Sequence, residues 1–195
     1  MKKKLCILSL LILLCGCNVN QDNIEKSTDK IKQTYSDLSD FETEIKFLCD
    51  SGQSILEYDC KFEYNKEYGQ TLTIEKPDSL SGIVINSTGT SKDNISINYN
   101  DTVLDFNANA QFGTSPADFM PNLIATLISN EPDEFWEETQ SGQKLLVARY
   151  EAKTGDIPIS SQVWLYKTTL LPMYAEVYTD GQRVLQAFFN ETNQN

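Results

Sequence analysis

From Phe41 to Phe189 the chain is built of short runs in which apolar residues fall at every second position, and turn residues separate the runs. A period of two is the period of a pleated strand with one buried face. Phe41, Thr43, Ile45, Phe47 and Cys49 make one such run, and Tyr58, Cys60, Phe62 and Tyr64 line one face of the next, predicted over 55–64. Further strands are predicted over 71–75, 82–86, 95–99 and 103–106, and then over 145–150, 162–166, 173–178 and 183–189. Nearly all of the connections are too short for a crossover helix, so the sheet is expected to be antiparallel. Asp180-Gly181 is a two-residue hairpin signal. It predicts Val177 opposite Val184, Ala175 opposite Gln186 and Met173 opposite Phe188, with that face lining the core. Nine Phe, nine Tyr and two Trp in 195 residues, against nine Gly and six Pro, agree with one β-rich domain long enough to bury a core.

Two segments carry the helical period instead. Ile31, Tyr35 and Leu38 recur at i, i+4 and i+7, which predicts a helix over 28–39 capped by Ser27 or Thr28. Ser115-Pro116 reads as an N-cap followed by proline at the first helical position, with Phe119, Leu123, Ile124, Leu127 and Ile128 on one stripe. Pro121 is expected to kink or restart that helix. A further short helical turn is predicted at 131–136. The fold class that follows is mainly β with α: a long antiparallel sheet curling around its helices.

The N-terminus has its own logic. Lys2, Lys3 and Lys4 precede a run of about ten apolar residues, the n- and h-regions of a secretory signal, and too short for a span. The run ends in Leu14-Cys15-Gly16-Cys17, which resembles the lipobox of bacterial lipoproteins. The domain organisation expected is a signal peptide over 1–16, a lipidated Cys17 with a flexible tether over 17–26, and a single domain over 27–195. Loss of the three lysines would take the net charge from −12 to −15. The protein is therefore expected outside the cytoplasm, held to a membrane by acyl chains. That compartment permits disulfides. Cys49 and Cys60 could pair, but a tight turn near Ser51-Gly52-Gln53 sets them some 20 Å apart along the hairpin, beyond the reach of a disulfide; two small buried thiols are the other reading.

Composition narrows the chemistry. There is no histidine, which excludes Ser-His-Asp and Cys-His nucleophile pairs and removes the commonest zinc ligand. A net charge of −12 disfavours nucleic acid. Glu131, Asp133, Glu134, Glu137 and Glu138 could bind a cation or a basic partner, but lack the glycine-punctuated spacing of a calcium loop; a solvated face is the plainer reading. No catalytic, cofactor or metal residue is singled out. Trp136 and Trp164 are the two tryptophans; Trp164 lies in a strand, either as core or as an exposed anchor for a partner. The segment 107–113, without periodicity, could act as a hinge between the halves and donate an element to a second copy.

Taken together, the lipobox, the amphipathic helix, the strand series and the stretch Ile74-Glu75-Lys76-Pro77-Asp78-Ser79-Leu80-Ser81-Gly82-Ile83-Val84-Ile85 resemble LolA/LolB-like lipoprotein carriers. That resemblance implies an open, incomplete antiparallel barrel closed by helices. Within the group, the lysine-rich signal, the lipobox, the size and the acidity resemble the GerS family of clostridial spore germination lipoproteins. This implies a non-enzymatic partner that binds and activates a zinc-dependent spore cortex amidase of the CwlD type, together with a homodimer. Only Cys17 carries over as a functional residue. The alternative implied by the wider group is a carrier of lipid or lipoprotein acyl chains in the concave face.

Overall fold

The computed structural model describes residues 21–88, 95–100, 102–106 and 113–194. The signal segment, Cys17 and residues 107–112 of the expected hinge lie outside these. The described elements run α1 (Gln21–Asp37), β1 (Asp40–Asp50), β2 (Ile55–Asn65), β3 (Gly69–Lys76), β4 (Val84–Ser87), β5 (Ile95–Tyr99), β6 (Thr102–Phe106), α2 (Pro116–Ser129), β7 (Glu134–Gln140), β8 (Gln143–Thr154), β9 (Ile157–Tyr166), β10 (Pro172–Thr179) and β11 (Gln182–Gln194). The eleven strands form one sheet in the order β6-β5-β4-β3-β2-β1-β11-β10-β9-β8-β7, with every described pairing antiparallel. β1 and β11 join the two halves, and the sheet does not close between β6 and β7. This is the expected open antiparallel sheet with helices on it.

Both helices turn their apolar stripes to one face of that sheet. Ile31, Tyr35 and Leu38 of α1 and Phe119, Met120, Leu123, Ile124 and Leu127 of α2 are buried against Ile45, Phe47, Phe62, Leu72, Val163, Val177 and Leu185. Phe47 meets Phe119 edge-on, with centroids 5.5 Å apart. Tyr35 is locked in place from its other end, since its hydroxyl donates to the Leu170 carbonyl at 3.0 Å. α2 starts at Pro116, as predicted, and runs unbroken through the buried Pro121. Asp118 organises its entry: the carboxylate accepts the backbone N–H of Gly113 at 2.8 Å and of Ser115 at 3.0 Å, and the Ser115 hydroxyl at 2.6 Å. Gly113 has φ +68°, and a β-carbon there would sit 3.3 Å from Asn122 Cβ, so glycine suits this approach.

The structure departs from the sequence reading in three places. α1 begins at Gln21, inside the segment expected to be tether. The predicted turn at 131–136 is the start of strand β7, paired to β8 from Glu134↔Arg149 to Gln140↔Gln143. Ser141 (φ +51°) and Gly142 (φ +82°) close that hairpin, the two left-handed positions a tight two-residue turn requires. The β10–β11 hairpin forms through Asp180-Gly181, but a bulge between Val177 and Tyr178 shifts the register by one residue. Val177 faces Leu185 and Ala175 faces Ala187, while Tyr174 faces Phe188. One extra residue on a strand moves the partner's whole set of side chains to the opposite face. Leu185 and Ala187 therefore enter the core, and Gln186 and Phe188 turn outward.

Candidate functional site

The sheet face opposite the helices would ordinarily be polar. Over β7–β11 it is aromatic. Register places Trp136, Val147, Trp164, Tyr174, Phe188 and Lys46 in one row across β7, β8, β9, β10, β11 and β1. The rings of Trp164 and Tyr174 lie 5.0 Å apart and those of Tyr174 and Phe188 4.8 Å apart, both tilted. Phe188 is 37% exposed, and the two tryptophans and Tyr174 are half-buried. Val147 and Leu145 point the same way yet are fully buried, and they stand apart from the main core. Flanked in register by Trp136 and Trp164, and by Glu138 and Tyr166, they form a second, thin apolar layer on the outside of the sheet. Trp164 is thus neither main core nor free in solvent.

Carboxylates fix the polar ends of these rings. Glu138 accepts the Trp164 indole N–H at 2.5 Å through Oε1 and that of Trp136 at 3.4 Å through Oε2. On the opposite side of the aromatic row from Glu138, Glu176 is buried. It accepts the Tyr174 hydroxyl at 2.5 Å, the Tyr178 hydroxyl at 2.5 Å and Arg183 at 2.7 Å, while Gln186 donates to the Tyr174 oxygen at 2.5 Å. Burial pushes the Glu176 carboxyl up, but the hydrogen bonds from Tyr174, Tyr178 and Arg183 outweigh it and hold the group below the ordinary carboxylate value. Tyr174 is pushed up to about 12, mainly by burial.

The remaining residues singled out in the sequence fall elsewhere. The acidic run 131–138 does not converge. Glu131 pairs with Lys32, Glu134 lies 3.6 Å from Arg149, Glu137 lies 2.5 Å from Lys167, and Asp133 accepts the Glu151 backbone N–H at 2.7 Å. Cys60 stands opposite Ile45 and Cys49 opposite Leu56, and both are free thiols. Four strand residues from Ile45 to Cys49 span roughly 13 Å, too far for the disulfide left open above. Burial raises Cys49 to about 11 and Cys60 to about 12. Among the described residues no group of three His, Cys, Asp or Glu is placed to hold a metal ion. No helix among them is long and apolar enough to cross a membrane.

Two hollows lie elsewhere among the described residues. One, of about 220 Å³, lies on the concave side between α2 and β8–β10, lined by Asn122, Thr126, Tyr150, Ile159, Ser161 and Val177 among others. The other, of about 430 Å³, is a shallow basin at the end of β1–β3, walled by Asp40, Glu42, Glu63, Tyr64 and Tyr68. There Lys61 bridges Glu42 at 2.9 Å and Glu63 at 3.1 Å, so these two carboxylates are partnered.

Comparison with solved structures places this architecture among known folds. An uncharacterized conserved protein from Thermus thermophilus is similar over 90% of this chain and 87% of its own, with 10% identity and a TM-score of 0.51. A LolA superfamily protein from Nitrosomonas europaea covers 88% and 93%, with 10% identity and a TM-score of 0.46. The CwlD amidase from Clostridioides difficile in complex with the GerS lipoprotein gives 17% identity over 88% and 92%, with a TM-score of 0.37. No curated protein matches the sequence. The model of the family described as "Sporulation protein YdcC-like" matches residues 1–189, nearly the whole length. The chain belongs to the YdcC-like sporulation protein family.

Proposed function

We propose that this protein is a membrane-anchored, non-enzymatic lipoprotein that binds and activates a zinc-dependent spore cortex amidase of the CwlD type. Cys17 carries the lipid, and the protein works outside the cytoplasm, on the spore or forespore membrane. The observation that carries the reading is the outer face of β7–β11. Two tryptophans and two tyrosines there are pre-set by Glu138 and Glu176, and Phe188 lies against Tyr174, the composition of a protein-binding hot spot. Membership of a sporulation family gives the setting. The GerS lipoprotein, which the sequence resembles, is solved in complex with the amidase CwlD. The composition supports a non-enzyme, since the chain has no histidine.

The acyl-chain carrier is the lesser reading. It asks for an apolar cavity of about 300 Å³ or more. The concave face is occupied by α2, and the 220 Å³ beside it has Asn122, Thr126 and Ser161 in its wall. Co-purification with a cortex amidase and stimulation of cortex cleavage test the proposal. Absence of both complex and stimulation overturns it, and acyl chains found bound to the protein by native mass spectrometry would favour the carrier.

A further inference from the structure

We infer that the Trp136–Glu138–Trp164 corner of the outer face is the seat of a basic side chain supplied by the partner protein, an inference that rests on the amidase-binding reading above. Within the acidic run, Glu131, Glu134 and Glu137 each pair with a cation of this chain. Glu138 does not: its described partners are two neutral indole N–H groups. These orient the carboxylate and leave its charge uncompensated. Arg149 and Arg183, on the same outer face, are engaged elsewhere, Arg149 with Glu151 at 2.7 Å and Arg183 with Glu176 at 2.7 Å.

The two indoles complete the site. Tryptophan presents the best aromatic face for a cation, and a guanidinium adds a planar fork that matches a carboxylate. The rings are already held through their N–H groups and by the layer of Val147 and Leu145, so little side-chain freedom remains to be lost on binding. A net charge of −12 draws such a partner from a distance. Charge, π-face and geometry thus agree on one occupant: an arginine or lysine on a protein surface.

The test uses the full-length lipoprotein in detergent and purified cortex amidase. Glu138→Gln removes the charge and keeps one acceptor oxygen, for the Trp164 indole N–H, giving up only the longer 3.4 Å contact with Trp136. It is expected to weaken binding about tenfold at low salt, with thermal unfolding unchanged and with the salt dependence of binding reduced. Trp164→Phe is expected to weaken binding to a similar degree, and Lys61→Ala, on the distant β2, to leave it unchanged. Wild-type protein that fails to bind the amidase overturns both this inference and the proposed function. Wild-type binding that Glu138→Gln leaves unaltered overturns this inference alone. Co-sedimentation with cortex peptidoglycan that is lost in Trp164→Phe but kept in Glu138→Gln would assign the face to glycan and overturn it as well.

Discussion

Glu176 shows how a charge can be held within a sheet layer at little risk to the fold: every described bond to it comes from a group that strengthens when the carboxylate is ionised. Its folded-state pKa is depressed. It therefore adds stability above the unfolded value of about 4.5, and that contribution is lost as pH falls through the folded value. Tyr174 is the opposite case. Its phenol is raised to about 12, so its contribution is complete below about pH 10 and disappears as pH climbs towards 12. Glu176→Gln is expected to cost about 1–3 kcal/mol at pH 7, with the gap to wild type narrowing below pH 4.5; urea unfolding at the two pH values measures it. The cysteines give a second residue-scale prediction. With thiols raised to about 11 and 12, Cys49 and Cys60 carry almost no thiolate at pH 7.5. Iodoacetamide should label neither in the native protein within minutes and both in urea; rapid native labelling would contradict the buried placement of Cys60.

At the scale of elements, α1 is held by a buried polar contact of Tyr35 in addition to its apolar stripe. Leu170 adopts φ +60°, a conformation a leucine rarely takes. This places its side chain in the core and its carbonyl against the Tyr35 hydroxyl. Tyr35→Phe leaves that carbonyl unpaired and is expected to destabilise by about 1–2 kcal/mol, read as a lowered midpoint in denaturant with an unchanged slope. The contact joins residues 135 apart in sequence, so no local pattern announces it. What the sequence did announce were elements with a clean period and chemical punctuation. β1 and β2 alternate over most of their length, and α2 opens on Ser-Pro. β7 escaped because Phe135 and Trp136 are adjacent, which breaks alternation, and because its closing Ser141-Gly142 turn is a weaker signal than Asp-Gly. The β10–β11 hairpin was legible but its register was not, since a bulge leaves no mark in composition. The outer face was hidden for a related reason. β8 and β9 are apolar on both sides, so alternation alone could not say which side of Trp164 faces the helices.

Among the described residues the molecule is one sheet that ends on β6 at one side and β7 at the other, and the two edges differ. β7 shows solvent Glu134, Glu137, Thr139 and Gln140, a polar rim that discourages pairing. β6 shows Val103 at 60% and Leu104 at 55% exposure, neighbours that project to opposite sides of the strand, and carries no lysine or proline, with Asp105 its one charged residue. The homodimer implied by the resemblance is accordingly expected at β6, edge to edge with a second copy. Such pairing leaves the Trp136–Trp164 face, at the other end of the sheet order, available for the partner in each copy. With lipid on Cys17, as proposed, it would also give the assembly two anchors, which retain a protein on a membrane far better than one. Cys17→Ser should abolish palmitate labelling and leave an unprocessed precursor while preserving amidase binding; continued labelling would place the lipid elsewhere. For the dimer, sedimentation of the full-length protein in detergent is expected to give twice the monomer mass at micromolar concentration. Val103→Lys puts a charge on the exposed edge without touching the core, so it should produce a monomer with an unchanged melting temperature. A wild-type species of monomer mass across a hundredfold dilution would remove the dimer and leave the partner face as the protein's remaining proposed interface.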